Sequence, residues 1–185
     1  MRAFEETQKL LSAKERNGFI LDSGCGTGES TVALATMHPG NIVIGIDRSA
    51  VRLRRVAANK LATREGNCVW VRARLETFWR LMLGANWGVE KNYFLYPNPW
   101  PKSEQMKKRW HAHPSFPVVL KLCRNIELRS NWEIYAEEFV RAIEWSGCDR
   151  PKVELFSAEN TISSFEKKYA ASGHKLYRVR TVTQN

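Results

Sequence analysis

Short apolar runs alternate along the chain with longer segments in which polar and apolar residues are mixed. The apolar runs are rich in β-branched and aromatic residues, and such runs predict strands that are buried on both faces of a sheet. Seven strands are predicted in this way, at residues 18–22, 41–47, 68–71, 92–96, 125–129, 152–156 and 175–179. The segments between them predict helices at residues 29–37, 49–64, 76–83, 132–145 and 165–171.

Strands that alternate with helices predict an α/β fold, with a mostly parallel seven-stranded sheet and helices on both faces. The chain of 185 residues has the size of one domain, so we expect a single domain over residues 1–185. In such sheets ligands bind at the carboxyl ends of the strands. Functional residues are therefore expected in the loops that follow the strands.

The first of these loops is rich in glycine. Residues 22–28, DSGCGTG, follow the first strand and open a helix, and glycines there let the backbone approach a ligand. Asp47 ends the second strand, where a carboxylate can accept hydrogen bonds from the hydroxyls of a ribose. Two simpler roles stay open: a tight turn without a ligand, and Asp47 as the cap of the helix near Ser49.

The loop after the fourth strand is rich in proline, which fixes φ and stiffens the chain. A stiff loop can hold Asn98 in a defined place, and Trp100 offers a face on which a base can stack. Trp100 could equally pack in the core, and the basic residues that follow could form a solvated helix face. The alternative for these basic residues is contact with phosphate: Lys102, Lys107, Lys108 and Arg109.

The overall charge of the chain is strongly positive. It carries 29 Lys and Arg against 19 Asp and Glu, a formal net charge of +10, and this favours a polyanionic partner such as nucleic acid. The four cysteines match no zinc-ligand spacing, so we expect free thiols and no metal site. The first residues lack an apolar signal segment, and no apolar run approaches membrane-spanning length. These features predict a cytoplasmic protein without a membrane segment.

Five segments resemble motifs of known methyltransferases, in the same order along the chain. Residues 22–28, with GxGxG rather than the GxGxxG of dinucleotide sites, resemble motif I of Rossmann-like class I methyltransferases. The others are similar to motifs of the tRNA (guanine-N7)-methyltransferases: residues 96–102 to PDPWPK, 130–137 to TDWExYAE, 163–166 to TxFE, and 173–174 to GH. The resemblance implies methyl transfer from S-adenosylmethionine (SAM) to N7 of a guanine in tRNA, by a monomer or a homodimer.

The resemblance also implies roles for individual residues. Asp22 is expected to face the methionine end of SAM and Asp47 its ribose. The residues implied for the cofactor are Asp22, Ser23, Gly24, Gly26, Gly28, Asp47, Arg48, Arg74 and Asn98. Asn98 is also the implied catalytic residue, because its loop positions the acceptor base. The residues implied for substrate binding are Lys102, Asn131, Ser163, Phe165, Glu166, Trp100, Lys107 and Arg109.

Three positions depart in charge from the family pattern. Asn98 and Asn131 stand where the family has Asp, and Arg74 stands where it has an acid that contacts the adenine of SAM. Guanine N7 carries a lone pair and no proton, so its methylation needs alignment and stabilisation of positive charge rather than a general base. A neutral amide stabilises that charge less than a carboxylate does. Guanine-N7 methylation is our main hypothesis; methylation of another base or a small molecule, and an inactive RNA-binding homologue, stay open.

Overall fold

All seven predicted strands occur in the computed structural model of the protein, which describes residues 1–12, 15, 18–158 and 160–181. The strands are β1 (Phe19–Ser23), β2 (Val43–Asp47), β3 (Ala62–Glu65), β4 (Cys68–Arg72), β5 (Val89–Leu95), β6 (Ile126–Ser130), β7 (Val153–Phe156) and β8 (Leu176–Arg180). The α-helices are α1 (Arg2–Lys9), α2 (Glu29–Met37), α3 (Ala50–Ala57), α4 (Leu75–Gly84), α5 (Phe116–Leu122), α6 (Glu133–Trp145) and α7 (Ser164–Ala171). The predicted α/β class, with a mixed and mostly parallel sheet, is confirmed.

The chain divides into two compact units, Met1–Tyr93 and Phe94–Asn185. In the first unit the strand order is β3-β4-β2-β1-β5, and β4, β2, β1 and β5 run parallel to one another. Every residue of β1 and β2 is buried, as expected for strands that are covered on both faces. Because Ser23 pairs with Ile46, the carboxyl ends of β1 and β2 lie side by side, at the edge where parallel sheets bind ligands.

The eighth strand, β3, corrects the prediction of seven. The helix predicted over residues 49–64 ends at Ala57, because Ala58 and Asn59 have φ values of 42° and 66°. A right-handed helix cannot continue through two left-handed residues. The chain then returns as β3, which is antiparallel to β4, with Thr63 beside Trp70. Helices α1 and α5 were also not predicted from the sequence.

In the second unit, β8 lies between β6 and β7 and is antiparallel to both. Two short 3₁₀ helices, Ser103–Lys108 and Trp110–Ala112, precede α5. Helix α6 buries one face, as its apolar residues recur at spacings of three and four. The buried residues of α6 are Tyr135, Ala136, Phe139, Val140 and Ile143.

The four cysteines are free thiols, as predicted. Cys25, Cys68 and Cys123 are buried, and Cys148 is half-buried. No helix in the described part of the chain has both the length and the apolar character needed to cross a membrane. Within residues 1–12, 15, 18–158 and 160–181, no cluster of His, Cys, Asp and Glu has an arrangement that could hold a metal ion.

Candidate functional site

The glycine-rich turn borders open space. Gly24, Gly26 and Gly28 have φ values of 90°, 59° and 87°, a region that glycine adopts without a steric penalty. A Cβ atom at Gly24 or Gly26 would meet no atom within 4 Å. At Gly28, in contrast, it would lie 2.6 Å from Nε1 of Trp70. Gly28 is therefore required by packing against Trp70, whereas Gly24 and Gly26 leave their backbone open to a ligand.

Asp47 ties the end of β2 to the glycine turn. Its Oδ2 accepts a hydrogen bond from Gly26 N at 3.1 Å, and its Oδ1 accepts one from Ser49 N at 2.8 Å. The Ser49 side chain in turn accepts from Arg52 N and caps α3. Each carboxylate oxygen of Asp47 accepts one of these bonds and has a further lone pair. The residue can therefore support the turn and still accept bonds from ribose hydroxyls.

Asp22 has a buried carboxylate oxygen without a partner. Its Oδ2 accepts hydrogen bonds from Ser30 Oγ at 2.6 Å and Thr31 Oγ1 at 2.8 Å, whereas no described residue bonds Oδ1. Burial raises the pKa of Asp22 to about 6, the charge of Asp47 adds to the rise, and the two hydroxyl bonds oppose it. A buried acceptor without a donor is unfavourable. A cationic donor, such as the ammonium group of SAM, would satisfy this oxygen.

The Ser23 hydroxyl is committed to the core of the first unit. It donates to Asn92 Oδ1 at 2.7 Å and accepts from Trp79 Nε1 at 3.2 Å. The Nδ2 atom of Asn92 is buried and has no partner within the described residues. Asn92 was not predicted as a functional residue, because its only signal in the sequence is an amide in an otherwise apolar predicted strand. Only the backbone of Ser23 is therefore available for the predicted cofactor contact.

The two arginines predicted near the cofactor are both exposed. Arg74 precedes α4 and donates from Nε to Glu76 at 2.7 Å. Arg48 directly follows Asp47 and forms no ion pair with any described acidic residue. Neither position contradicts the expected contact with SAM, and both stay predictions.

In the second unit, the proline-rich loop has an unusual backbone. Tyr96 and Trp100 have φ values of 50° and 45°, which non-glycine residues seldom adopt outside functional or strained segments. Between them, Asn98 is exposed, and its Oδ1 accepts a hydrogen bond from Trp100 N at 3.2 Å. The loop thus holds the Asn98 side chain through its own backbone, and the catalytic role of Asn98 stays a prediction.

Arg109 holds this loop through hydrogen bonds to the backbone of Trp100. This position corrects the prediction that Arg109 contacts RNA. Its guanidinium is buried and donates to the carbonyl oxygen of Trp100 at 3.2 Å from Nε and 3.0 Å from Nη2. The same group forms an ion pair with Glu138, which also bonds His111 Nε2 at 3.0 Å. Burial lowers the pKa of His111. A guanidinium with these partners is not available to a phosphate.

The neighbouring lysines are better placed than Arg109 for the predicted contacts with phosphate. Lys102 and Lys107 are exposed. The ammonium group of Lys108 lies 4.7 Å from the centre of the Trp100 ring, in a cation–π contact. Trp100 is half-buried, and Lys108 covers one face of its ring in this structure.

Glu166 lies at the centre of a buried ionic network. Its Oε1 accepts from Tyr96 Oη and Arg129 Nη1, each at 2.9 Å, and its Oε2 accepts from Ile162 N at 2.8 Å. Arg129 also donates from Nε to Glu127 Oε1 at 2.8 Å. Glu166 is 0% exposed and both of its carboxylate oxygens already accept hydrogen bonds, so it does not bind a base in this structure. This corrects the expectation that Glu166 touches the acceptor: the residue instead holds Tyr96, where the proline-rich loop begins.

The other predicted acceptor residues lie at helix starts. Ser163 caps α7 by accepting from Glu166 N at 3.1 Å, so its hydroxyl oxygen is already bonded. Phe165 is 48% exposed and stacks on Tyr169, with ring centres 6.3 Å apart. Asn131 is half-buried and precedes Trp132, whose backbone N–H donates to Ser130 Oγ at 3.0 Å. Of the residues predicted to bind the substrate in these segments, Asn131 and Phe165 are thus the ones that a substrate can reach.

The network around Arg129 was not predicted from the sequence. Glu127 and Arg129 are two residues apart in β6, and this spacing places both side chains on one face of the strand. The spacing is a weak signal, because it does not reveal which distant residue completes the network.

Comparison with known proteins places these features in a family. A family model, Methyltransf_4, described as "Putative methyltransferase", matches residues 16–179. A tRNA (guanine-N(7)-)-methyltransferase of a Nocardioides species is 30% identical over 179 residues, which cover 90% of this chain and 68% of the relative. A protein of the same name from Leptospira interrogans is 27% identical over 187 residues and is covered to 82%.

Two solved structures share the fold. An antibiotic-related methyltransferase superposes with a TM-score of 0.66 at 19% identity, over 96% of this chain and 92% of the other. The 16S rRNA methyltransferase KamB superposes with a TM-score of 0.67 at 15% identity, over 98% of this chain and 94% of the other. At these identities the likeness supports the fold and nothing finer.

Proposed function

The chain belongs to the Methyltransf_4 family of SAM-dependent methyltransferases, and we propose that it transfers the methyl group of SAM to N7 of a guanine in tRNA. The observation that carries the cofactor half of this proposal is the unpartnered, buried oxygen of Asp22 beside an open glycine turn. Two observations support the acceptor half. Relatives named tRNA (guanine-N(7)-)-methyltransferase match most of the chain, and the net charge is +10.

The residues present fit SAM. Asp47 would accept hydrogen bonds from the ribose hydroxyls while it holds Gly26 and Ser49. Asp22 would accept a bond from the ammonium group through Oδ1. The open backbone at Gly24 and Gly26 would let the cofactor approach the turn. When bound, SAM supplies a methyl group on a positively charged sulfur.

The chain has to supply alignment rather than acid–base chemistry. The lone pair of guanine N7 forms the new N–C bond, the electron pair of the breaking C–S bond goes to sulfur, and no proton moves. The positive charge passes to the purine ring. Asn98, in its strained and anchored loop, would position the base, and Lys102 and Lys107 would bind the phosphates that surround it.

Incubation with methyl-labelled SAM and tRNA from cells that lack N7-methylguanine tests this proposal. The label is mapped by nuclease digestion and mass spectrometry, with the variant Asp47→Ala, checked for folding by circular dichroism, as the background control. We expect label on N7 of a guanine. Label on another atom would overturn the proposal in favour of a different acceptor, and no label with SAM binding intact would overturn it in favour of a non-catalytic protein.

SAM affinity is expected to fall about tenfold between pH 7 and pH 5. The pKa of Asp22 is raised to about 6, so its carboxylate is mostly charged at the higher pH and mostly neutral at the lower. A neutral carboxyl group loses its attraction for the ammonium group of SAM, and affinity is therefore lost as the pH falls through 6. Titration calorimetry at both pH values measures the change.

The variant Asp22→Asn is the control for this pH dependence. It keeps an oxygen that can accept from Ser30 and Thr31 but cannot titrate in this range. Its SAM affinity should be weaker than that of the natural protein at pH 7 and nearly constant down to pH 5. An equal pH dependence in both proteins would assign the titration to another group.

A further inference from the structure

The side-chain amide of Asn98 has only one chemically reasonable orientation. Its neighbour in the turn is the backbone N–H of Trp100, 3.2 Å away, and a backbone N–H can only donate. The atom that faces Trp100 must therefore be the oxygen, which removes the usual ambiguity between amide oxygen and nitrogen. The Nδ2 group then points away from the turn. Asn98 is exposed, and no described residue accepts a hydrogen bond from its Nδ2.

A chain of contacts that leads back to the buried Arg109 side chain fixes this orientation. The carbonyl oxygen of Trp100 accepts two hydrogen bonds from Arg109, and the guanidinium of Arg109 is paired with Glu138. Trp100 has a φ of 45° and its ring lies under Lys108. Trp100 is thus held by its carbonyl and by its ring, and it holds Asn98 through its N–H. A donor that is oriented before the ligand arrives loses little entropy on binding.

We propose that Asn98 acts as a hydrogen-bond donor to the acceptor base, and that on guanine the atom that it binds is O6. The inference rests on the proposed function, since it assumes that guanine N7 is the methylated atom. The edge of guanine that carries N7 also carries O6, and both atoms are hydrogen-bond acceptors. A bond from Asn98 Nδ2 to O6 leaves the lone pair of N7 free for the methyl group.

The same donor would select guanine against adenine. Adenine has an amino group where guanine has O6, so two donors would face each other and the Asn98 amide would lose a partner. An aspartate at this position would keep the bond to Trp100 N but would place a second acceptor where the amide has its donor. Asn98→Asp therefore reverses the polarity of this contact with almost no change in shape.

The test compares two acceptors in the same tRNA. At the guanosine identified by labelling, one tRNA carries guanosine and the other carries 2-aminopurine riboside, which has N7 but hydrogen in place of O6. The rate constant kcat/KM is measured for both with the natural protein, Asn98→Ala and Asn98→Asp. The two bases differ in intrinsic reactivity at N7, and this difference cancels when the guanosine to 2-aminopurine ratio is compared between proteins.

We expect this ratio to be about five- to tenfold larger for the natural protein than for Asn98→Ala, the effect of losing one neutral hydrogen bond. Asn98→Asp should also lower the ratio, and it retains the Trp100 contact if the alanine variant does not fold. Guanine-N7 methyltransferases that carry Asp at this position would then bind O6 through another donor. Lys107→Ala, a change at an exposed lysine, should slow both substrates equally and leave the ratio unchanged.

Two failures are distinguishable. Equal ratios in the natural protein and in both Asn98 variants would overturn the assignment of Asn98 and leave guanine-N7 methylation intact. No methylation of guanosine by the natural protein would overturn the proposed function and the inference together.

Discussion

Replacement of Arg129 by methionine is expected to lower the free energy of unfolding by about 3–5 kcal/mol, the usual effect of removing one partner of a buried ionic network. The guanidinium of Arg129 lies between Glu127 and Glu166, and the side chains of all three are less than 10% exposed. Without the cation, Glu166 is left buried with no opposite charge among the described residues, and Glu127 loses its pair with Arg129. A buried carboxylate that loses its cation must be protonated or hydrated, and both processes favour the unfolded chain.

Chemical denaturation at pH 7 measures this loss, and an exposed ion pair provides the matched control. Arg150 pairs with Glu144 at 2.9 Å, and the two side chains are 55% and 41% exposed. Arg150→Met should change the free energy of unfolding by less than about 1 kcal/mol, because solvent screens an exposed pair. An equally small effect of Arg129→Met would show that water reaches the carboxylates of Glu127 and Glu166 and that the network is accessible to solvent.

The loss of this network should also affect the loop that carries Asn98. Glu166 accepts a hydrogen bond from Tyr96, and burial together with the charge of Glu166 raises the pKa of that tyrosine well above its usual value. Tyr96 begins the loop with a φ of 50°, a conformation that surrounding contacts must maintain. Glu166→Gln keeps an acceptor for Tyr96, so it is the milder variant with which to separate loop position from stability.

The sequence predicted best those features that depend on neighbours along the chain. The continuous apolar run of β2 identified a strand buried on both faces, and the glycine spacing after β1 identified the turn that the structure shows. Asp47 was placed correctly because the end of a parallel strand has a fixed position beside that turn. The end of α3 was predicted wrongly, since Ala58 and Asn59 adopt left-handed conformations that their side chains do not require.

Partners that are distant in sequence could not be predicted. Arg109 belongs to a run of basic residues, which is the usual pattern of a surface, yet Glu138 and the Trp100 carbonyl bury it. Glu166 was expected at a ligand because of a motif, but Arg129, 37 residues earlier, pairs with its carboxylate. For both residues, only the contacts in the folded protein distinguish support of a loop from contact with a substrate.

Affinity for tRNA is expected to fall roughly 10³-fold between 50 and 200 mM monovalent salt, if six phosphates are bound. Helix α3 contains three arginines and no acidic residue, and Arg52 is the one that pairs, at 3.6 Å, with Asp47. The exposed cations that form no ion pair with a described acidic residue include Arg48, Arg54, Arg55, Lys60, Lys102 and Lys107. Each of them that neutralises a phosphate releases a counterion and adds about −0.9 to the slope of log affinity against log salt.

Two variants separate cations that bind RNA from cations that support the fold. Lys107→Gln should weaken binding to every tRNA by the same factor and make the slope less steep by about 0.9, because an exposed phosphate contact is lost. Arg109→Gln removes the same formal charge but should leave the slope unchanged, since its guanidinium is buried against Glu138 and the Trp100 carbonyl. Fluorescence anisotropy with labelled tRNA at four salt concentrations measures both slopes. An equal change in slope for the two variants would mean that Arg109 leaves its buried position to bind RNA, and the orientation of Asn98 would then depend on the bound tRNA as well as on the loop.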